Sequence, residues 1–275
     1  MNICILTMVK DEQDYLGDFL DYHTRMGIDV HIFEDVFSHS HQEICDKYQN
    51  VFLHSLRELY SEDEQDELTQ NRLERKPNQT EFINRGLKFI QNLGTYDWCW
   101  LTDVDEFITC TEPMEDILER FKDRDAVMVY WLNYGASGHL YKPQYDRPIW
   151  EIFTKECGYE QKRDAKLHNI TKFCVNMRKY NPYKRWHIHN ASVNWVKADG
   201  TVKRGIYCFE PMYLRHYTIK SIEEYIWKVH IRGMHHNGHR DFQSLREMDG
   251  ESYEMAKNDK QFCKYIKDKY NVEIC

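Results

Sequence analysis

Apolar runs and helical runs alternate through the first third of the chain, and this alternation restricts the fold more than any other feature. Met1-Asn-Ile-Cys-Ile-Leu-Thr-Met-Val9 is short and apolar and reads as a first buried strand over 2–9. Residues 11–26 place Tyr15, Leu16, Phe19, Leu20, His23 and Met26 at helical spacing and stop at Gly27. Ile28–Phe33 reads as a second strand ending at Glu34-Asp35. A helix near 41–49 then leads to a short strand at Val51–His54. Thr80–Leu93 is helical again, with Phe82, Ile83, Leu87 and Ile90 in phase. The apolar run Tyr96–Thr102, a short helix Met114–Phe121 and a buried strand Ala126–Leu132 follow. Such alternation predicts an α/β fold with a mainly parallel sheet flanked by helices.

Beyond 134 the pattern loosens into loops with short strands at 149–154, 170–176, 192–197 and 206–209. Three helices, 219–232, 240–257 and 259–269, form a helical C-terminal segment. Residues 57–76 are highly charged without an apolar stripe and read as a solvated helix or mobile loop. No repeat or linker interrupts the chain. The reading is one domain over 1–275, with a nucleotide-binding-like half at 1–133 and a less regular half at 134–275.

Composition excludes several function classes. The 37 Lys and Arg against 45 Asp and Glu give a formal charge of -8, which argues against a general nucleic-acid binder. No run approaches the roughly 18 to 20 apolar residues of a membrane span. The N-terminal run has no basic flank or cleavage site, so it is not read as a signal peptide. Nine cysteines, odd in number and never in C-x-x-C, fit core thiols in a reducing compartment. That places the protein in the cytoplasm and makes the sequons at Asn78, Asn169 and Asn190 chance matches.

Asp103-Val104-Asp105 ends the apolar run at 96–102. Two carboxylates at i and i+2 of an extended strand point to one side, outside the carboxyl end where open α/β sheets bind ligands. They repel unless a cation sits beside them. Mg²⁺ or Mn²⁺ shared with phosphate oxygens meets that need, although the tripeptide suits two solvated turn acids after a strand equally. Leu214-Arg-His216-Tyr217-Thr-Ile-Lys220-Ser221 opens the helix at 219. His216 is a candidate metal ligand and Lys220 a candidate phosphate partner, although the stretch also suits an ordinary helix capped at Ser221.

Several pieces, in order, resemble the family 92 glycosyltransferases and related family 2 enzymes. They are Val9-Lys10-Asp11-Glu12, Tyr15-Leu16, Leu20-Asp21-Tyr22-His23, Gln79, Asp97-Trp98, Asp103-Val-Asp105-Glu-Phe107 and Tyr134-Gly-Ala-Ser-Gly-His139. Arg215-His216-Tyr217, Lys220-Ser221, Glu223-Glu224-Tyr225, Lys228 and Arg232-Gly233 complete the set. The resemblance implies the Rossmann-like GT-A fold, a nucleotide-sugar donor, taken as UDP-linked, and a metal held by a DxD motif. It implies that Asp105 binds the ion directly, that Asp103 faces the ribose or a metal-bound water, and that His216 completes the site. Lys10, Asp11, Asp35 and Gln79 would line the base and ribose pocket, and Lys220 would meet the diphosphate. Trp131, Tyr134 and His139 would shape the acceptor site, although Trp131 suits core packing equally. Inversion at the anomeric carbon needs a carboxylate base, for which Glu151 and Asp249 are the candidates. The charged insertion at 57–76 and Ala136 depart from the family pattern, which leaves the acceptor, a glycan or lipid-linked glycan, unnamed.

Two rival readings stand beside this one. Asp103-x-Asp105 after an apolar strand also suits a phosphohydrolase of the haloacid dehalogenase kind, although Phe107 departs from that motif. A non-catalytic nucleotide-sugar-binding module would keep the same residues. The clusters His187-Ile-His189 and His235-His236-Asn-Gly-His239 have zinc-like spacing but lack the glutamate of H-E-x-x-H. The aromatic stretch 180–195, with Arg178, Lys179, Lys184 and Arg185, suits peripheral contact with an anionic membrane or a lipid-linked acceptor, although an ordinary exposed face has the same composition more often.

Overall fold

A computed structural model describes residues 1–73, 79–157, 170–184, 186–187, 189–202, 208–231 and 242–274. The predicted strand at 206–209 lies partly outside them, as do the sequons at Asn78 and Asn169. His235, His236, His239, Arg185 and Arg232-Gly233 lie outside them entirely. The chain divides into two compact units. The first is 1–131 with 168–214, and the second is 132–167 with 215–275. The front half thus takes back a segment that the sequence reading placed in the rear half.

The first unit is built on a sheet. Its elements in chain order begin with β1 (Ile3–Val9), α1 (Gln13–Arg25), β2 (Asp29–Glu34), α2 (Gln42–Cys45) and β3 (Val51–Ser55). Two short 3-10 turns then lead to α3 (Gln65–Leu73) and α4 (Gln79–Leu93). β4 (Trp98–Leu101), β5 (Glu106–Cys110), α5 (Met114–Arg120) and β6 (Ala126–Asn133) follow, the last residues of β6 entering the second unit. In the second unit the chain adds the short helix α6 (Ile149–Ile152). It returns to the first with β7 (Thr171–Asn176), β8 (Trp186–His187), β9 (Asn190–Ala191), β10 (Trp195–Lys197) and most of β11 (Met212–His216).

The strand order is β3-β2-β1-β4-β7-β6-β11-β5, with β10 beside β6. β3, β2, β1 and β4 are mutually parallel, while β7 runs antiparallel between β4 and β6. β1 is apolar apart from the buried Thr7, because it is an inner strand with both faces covered. α1 buries Tyr15, Leu16, Phe19, Leu20 and His23. The chain leaves it through Gly27 at φ 76°, a left-handed turn that glycine takes at no steric cost. The mixed α/β architecture with a mostly parallel sheet agrees with the sequence reading.

Local departures have physical causes. The segment 149–154 is not a strand, for Pro148 sets the start of helix α6. β5 was not foreseen at all, although Phe107 and Ile108 are fully buried in it. Within 57–76, Leu68 of α3 is buried and Glu64 pairs with Arg85 at 2.6 Å, so the charged segment is anchored at these two positions. Among the described residues, seven cysteines are free thiols, but Cys263 is disulfide-bonded, which departs from the reading of nine reduced thiols. Among the described residues, no helix is long and apolar enough to cross a membrane.

The second unit ends in helices. α7 (Ile222–Ile226) continues as a π-helical turn over Trp227–Ile231, and α8 (Phe242–Met248), α9 (Gly250–Asn258) and α10 (Lys260–Tyr270) follow. Ser221 and Glu224 form a reciprocal cap on α7, as the sequence suggests. The predicted helix 240–257 is two helices, since the Asp249 side chain accepts from Ser252 N–H and starts α9 afresh. These helices pack around Ile222, Tyr225, Leu245, Phe262 and Ile266.

Candidate active site

β4 stops at Leu101, and Asp103, Val104 and Asp105 form the turn into β5. The expectation of an extended pair of acids on one side does not hold here, because the chain bends. Glu106 N–H donates to the Asp103 carbonyl at 3.0 Å, and Asp103 N–H donates to Glu106 Oε2 at 3.1 Å. The bend separates the two acids by exposure: the Asp103 side chain is 41% exposed, whereas Asp105 is buried.

The cation beside these acids is a residue the sequence reading did not name. Lys172 of β7 is wholly buried, with its ammonium 2.8 Å from Asp103 Oδ2 and 3.2 Å from Glu106 Oε1. It also lies 5.7 Å from the centroid of the Trp131 ring, within cation–π range. Burial opposes the charge of Lys172, but Asp103 and Glu106 outweigh it and hold the ammonium above its ordinary range. Burial pushes Glu106 up, with Lys172 pulling against it and Asp103 and Asp105 adding to it. The signal was legible in principle: a single lysine inside Thr171-Lys-Phe-Cys-Val175, all buried, demands an acid nearby.

A pocket opens at the carboxyl ends of β1 and β4, lined by Leu6, Met8, Phe82, Leu101, Gln79 and Asp103 among others. Two predicted residues, Gln79 and Asp103, therefore share one cavity. Leu6 and Leu101, both in its lining, are register partners across β1 and β4. Thr102, which also lines it, is buried with a hydroxyl that has no hydrogen-bond partner.

The loops after β1 and β2 are tied together. Asp11, at φ 55°, accepts from His39 N–H at 3.0 Å and meets His39 Nδ1 at 2.8 Å. Burial works against the Asp11 charge, but these bonds hold its carboxyl below the usual range. Asp35 is buried, accepts from Phe37 N–H at 3.1 Å, pairs with Arg72 and lies 4.0 Å from Lys10. His41, also unforeseen, is buried between Glu34 Oε1 at 2.8 Å and Glu12 N–H at 3.1 Å.

The other predicted residues belong to the second unit, except Trp131, which is buried in β6. His216 is buried, and its Nδ1 lies 2.8 Å from Asn133 Oδ1. An amide oxygen only accepts, so Nδ1 carries the proton and Nε2 is the basic nitrogen of the ring. Lys220 is buried at φ 57°, one residue before the Ser221 cap. Tyr134 stacks on Tyr217 with ring centroids 4.9 Å apart. His139 meets Phe153 edge-on, and its carbonyl accepts from Ile222 N–H. Glu151 is exposed on α6. Asp249 Oδ2 accepts from Ala136 N–H at 2.7 Å and Oδ1 from Ser252 N–H at 3.1 Å, which is a structural role.

Among the described residues, no group of three His, Cys, Asp or Glu side chains is arranged to hold a metal ion. The turn offers Asp103 and Asp105, hard oxygen donors of the kind Mg²⁺ and Mn²⁺ accept when waters and phosphates complete the shell. This donor set fits such an ion.

No known protein family matches the chain, and no curated protein matches it. Solved structures similar to it include the bifunctional IspDF from Campylobacter jejuni. That match is 7% identical with a TM-score of 0.31, over 65% of this chain and 42% of the other. The mannosyltransferase Ktr4p from S. cerevisiae is 14% identical with a TM-score of 0.28, over 52% of this chain and 42% of the other. The chain thus spans less than half the length of either.

Proposed function

We propose that the protein is a metal-dependent glycosyltransferase that moves a sugar from a nucleotide-diphosphate donor, UDP-linked, to a glycan hydroxyl. The observation that carries this reading is the acid turn Asp103–Glu106 at the end of β4, beside the pocket that holds Gln79. It agrees with the ordered resemblance in the sequence. Gln79 and the loop acids Asp11 and Asp35 would bind base and ribose, with Lys10 beside Asp35. Asp105 would hold Mn²⁺ or Mg²⁺, with Asp103 toward the ribose or a metal-bound water, and His216 would add its basic Nε2. The bound ion supplies positive charge to the diphosphate as it leaves. Lys220 would stabilise the same negative charge from its own place before α7.

In the transfer, the acceptor oxygen forms a bond to the anomeric carbon while the bond to the diphosphate oxygen breaks. The hydroxyl proton passes to a carboxylate. We assign that role to Glu151, since both Asp249 oxygens already accept backbone N–H groups. Tyr134, His139 and Trp131 would shape the acceptor side. The test is a thermal-shift panel of nucleotide-sugars with and without Mn²⁺, followed by UDP release with glycan acceptors. A donor at a hundred times its Kd stabilises by about 2.7 kcal/mol. Glu151→Gln should cost roughly 10²- to 10⁴-fold in turnover. Absence of any Mn²⁺-dependent stabilisation by nucleotide-sugars, or brisk hydrolysis of p-nitrophenyl phosphate, would overturn the reading.

A further inference from the structure

Lys172 is too costly to be ordinary core. Its side chain is 0% exposed, in a strand whose other five residues are buried as well. β7 lies directly beside β4, the strand that delivers the acids. The ammonium reaches two of the three carboxylates in the turn, Asp103 at 2.8 Å and Glu106 at 3.2 Å. The third, Asp105, carries the same charge in the same turn. A fixed monovalent cation already bonded to Asp103 competes with any divalent ion for that carboxylate and repels the ion as well.

We propose that Lys172 is a positioning residue that sets how tightly the Asp103–Asp105 turn takes a divalent ion, by withholding one Asp103 oxygen and one negative charge from it. An ion held weakly by the turn alone then depends on phosphate oxygens for the rest of its shell. Metal and diphosphate would therefore bind together, and the ion would not stay in the absence of donor. This inference rests on the metal-dependent reading above.

The test compares full-length Glu106→Gln with Lys172→Met/Glu106→Gln, which differ only in the lysine. The shared substitution avoids leaving a buried glutamate without its cation. Lys172→Gln/Glu106→Gln makes the same comparison if the methionine variant fails to fold, and melting temperatures establish which variants are folded. Binding is read from the electron paramagnetic resonance signal of free Mn²⁺, without nucleotide and with UDP. The Kd for Mn²⁺ alone is expected to fall on the order of tenfold when the lysine is removed, and the gain on adding UDP should shrink. Lys172→Arg, which keeps the charge, should bind Mn²⁺ as the wild type does. Equal Kd values with and without the lysine, or methionine-like binding by the arginine variant, would overturn the inference while wild-type binding upheld the functional reading. Tight binding only after lysine removal, with none in the wild type even with UDP, would support the role of Lys172 and sink the metal-dependent reading. No binding by any variant would overturn both.

Discussion

His31 and His54 share a single proton across 3.0 Å, from Nε2 of His54 to Nδ1 of His31. The direction is fixed from the far end of a chain of bonds. Tyr96 donates to Asp29 at 2.9 Å, so its oxygen accepts from His31 Nε2 at 2.9 Å. His31 Nδ1 is then an acceptor, and His54 Nε2 donates to it. His54 Nδ1 is left 3.5 Å from Glu58 Oε2.

This arrangement predicts acid sensitivity. Burial, with His54 adding, pushes His31 down to about 3. Burial also lowers His54, against the pull of Glu58. The unfolded chain takes up the His31 proton near its ordinary pKa of about 6.5, and the folded chain does so only near 3. Stability from this site is therefore complete above about 6.5 and is lost as pH falls toward 3, by up to a few kcal/mol. Urea midpoints at pH 7 and 4.5 should separate more for the wild type than for His31→Gln. Equal separations would remove His31 from the explanation.

Asp105→Asn keeps the side-chain size but removes the charge, and it should nearly abolish UDP release. If His216 ligates the ion as proposed, His216→Ala would remove one neutral ligand, so a loss on the order of 10- to 100-fold is expected. Asp103→Asn should weaken donor binding and also loosen the bond from Lys172. UDP release, Mn²⁺ titration and melting temperature on the three variants give the check. Full wild-type activity in EDTA would contradict the metal's role.

Asp249→Ala should lose stability rather than chemistry. It removes the α9 cap and the acceptor for Ala136 N–H, together worth about 1–2 kcal/mol. Denaturant titration reads the loss, and UDP release per folded molecule should be near wild type. A collapse in turnover with unchanged stability would return Asp249 to the list of bases.

Gly86→Ala tests the packing of α4 on β1. A Cβ at Gly86 would sit 2.7 Å from Leu6 Cδ2, and Leu6 lines the pocket with Gln79. The expected cost is about 1–3 kcal/mol from overpacking, with weaker nucleotide stabilisation in a thermal-shift measurement. A wild-type melting temperature would show that Leu6 moves aside freely.

The regular part of the fold was legible because its signals are local. β1, α1, β2 and α4 follow from apolar spacing and from glycine or capping residues at their ends. The turn acids were legible too, since two carboxylates after an apolar run need a partner. β5 was hidden because the motif at 103–105 drew the strand's end onto itself, although Phe107 and Ile108 continue the apolar pattern. Lys172 was hidden for another reason: it is distant in sequence from Asp103, and only antiparallel pairing of β4 with β7 joins them. Asp249 looked chemical in sequence because a carboxylate that caps a helix and one that takes a proton are the same residue type.

That long separation bears on how the chain is made. Synthesis at roughly 5–20 residues per second leaves Asp103 and Glu106 outside the ribosome for some seconds before Lys172 follows. In that interval the turn has its acids and no ammonium, so Glu106 has no counter-charge to accompany it into the core. The first unit cannot finish as its leading segment emerges. Its centre closes in a late step, when the returning strand brings the lysine between β4 and β6.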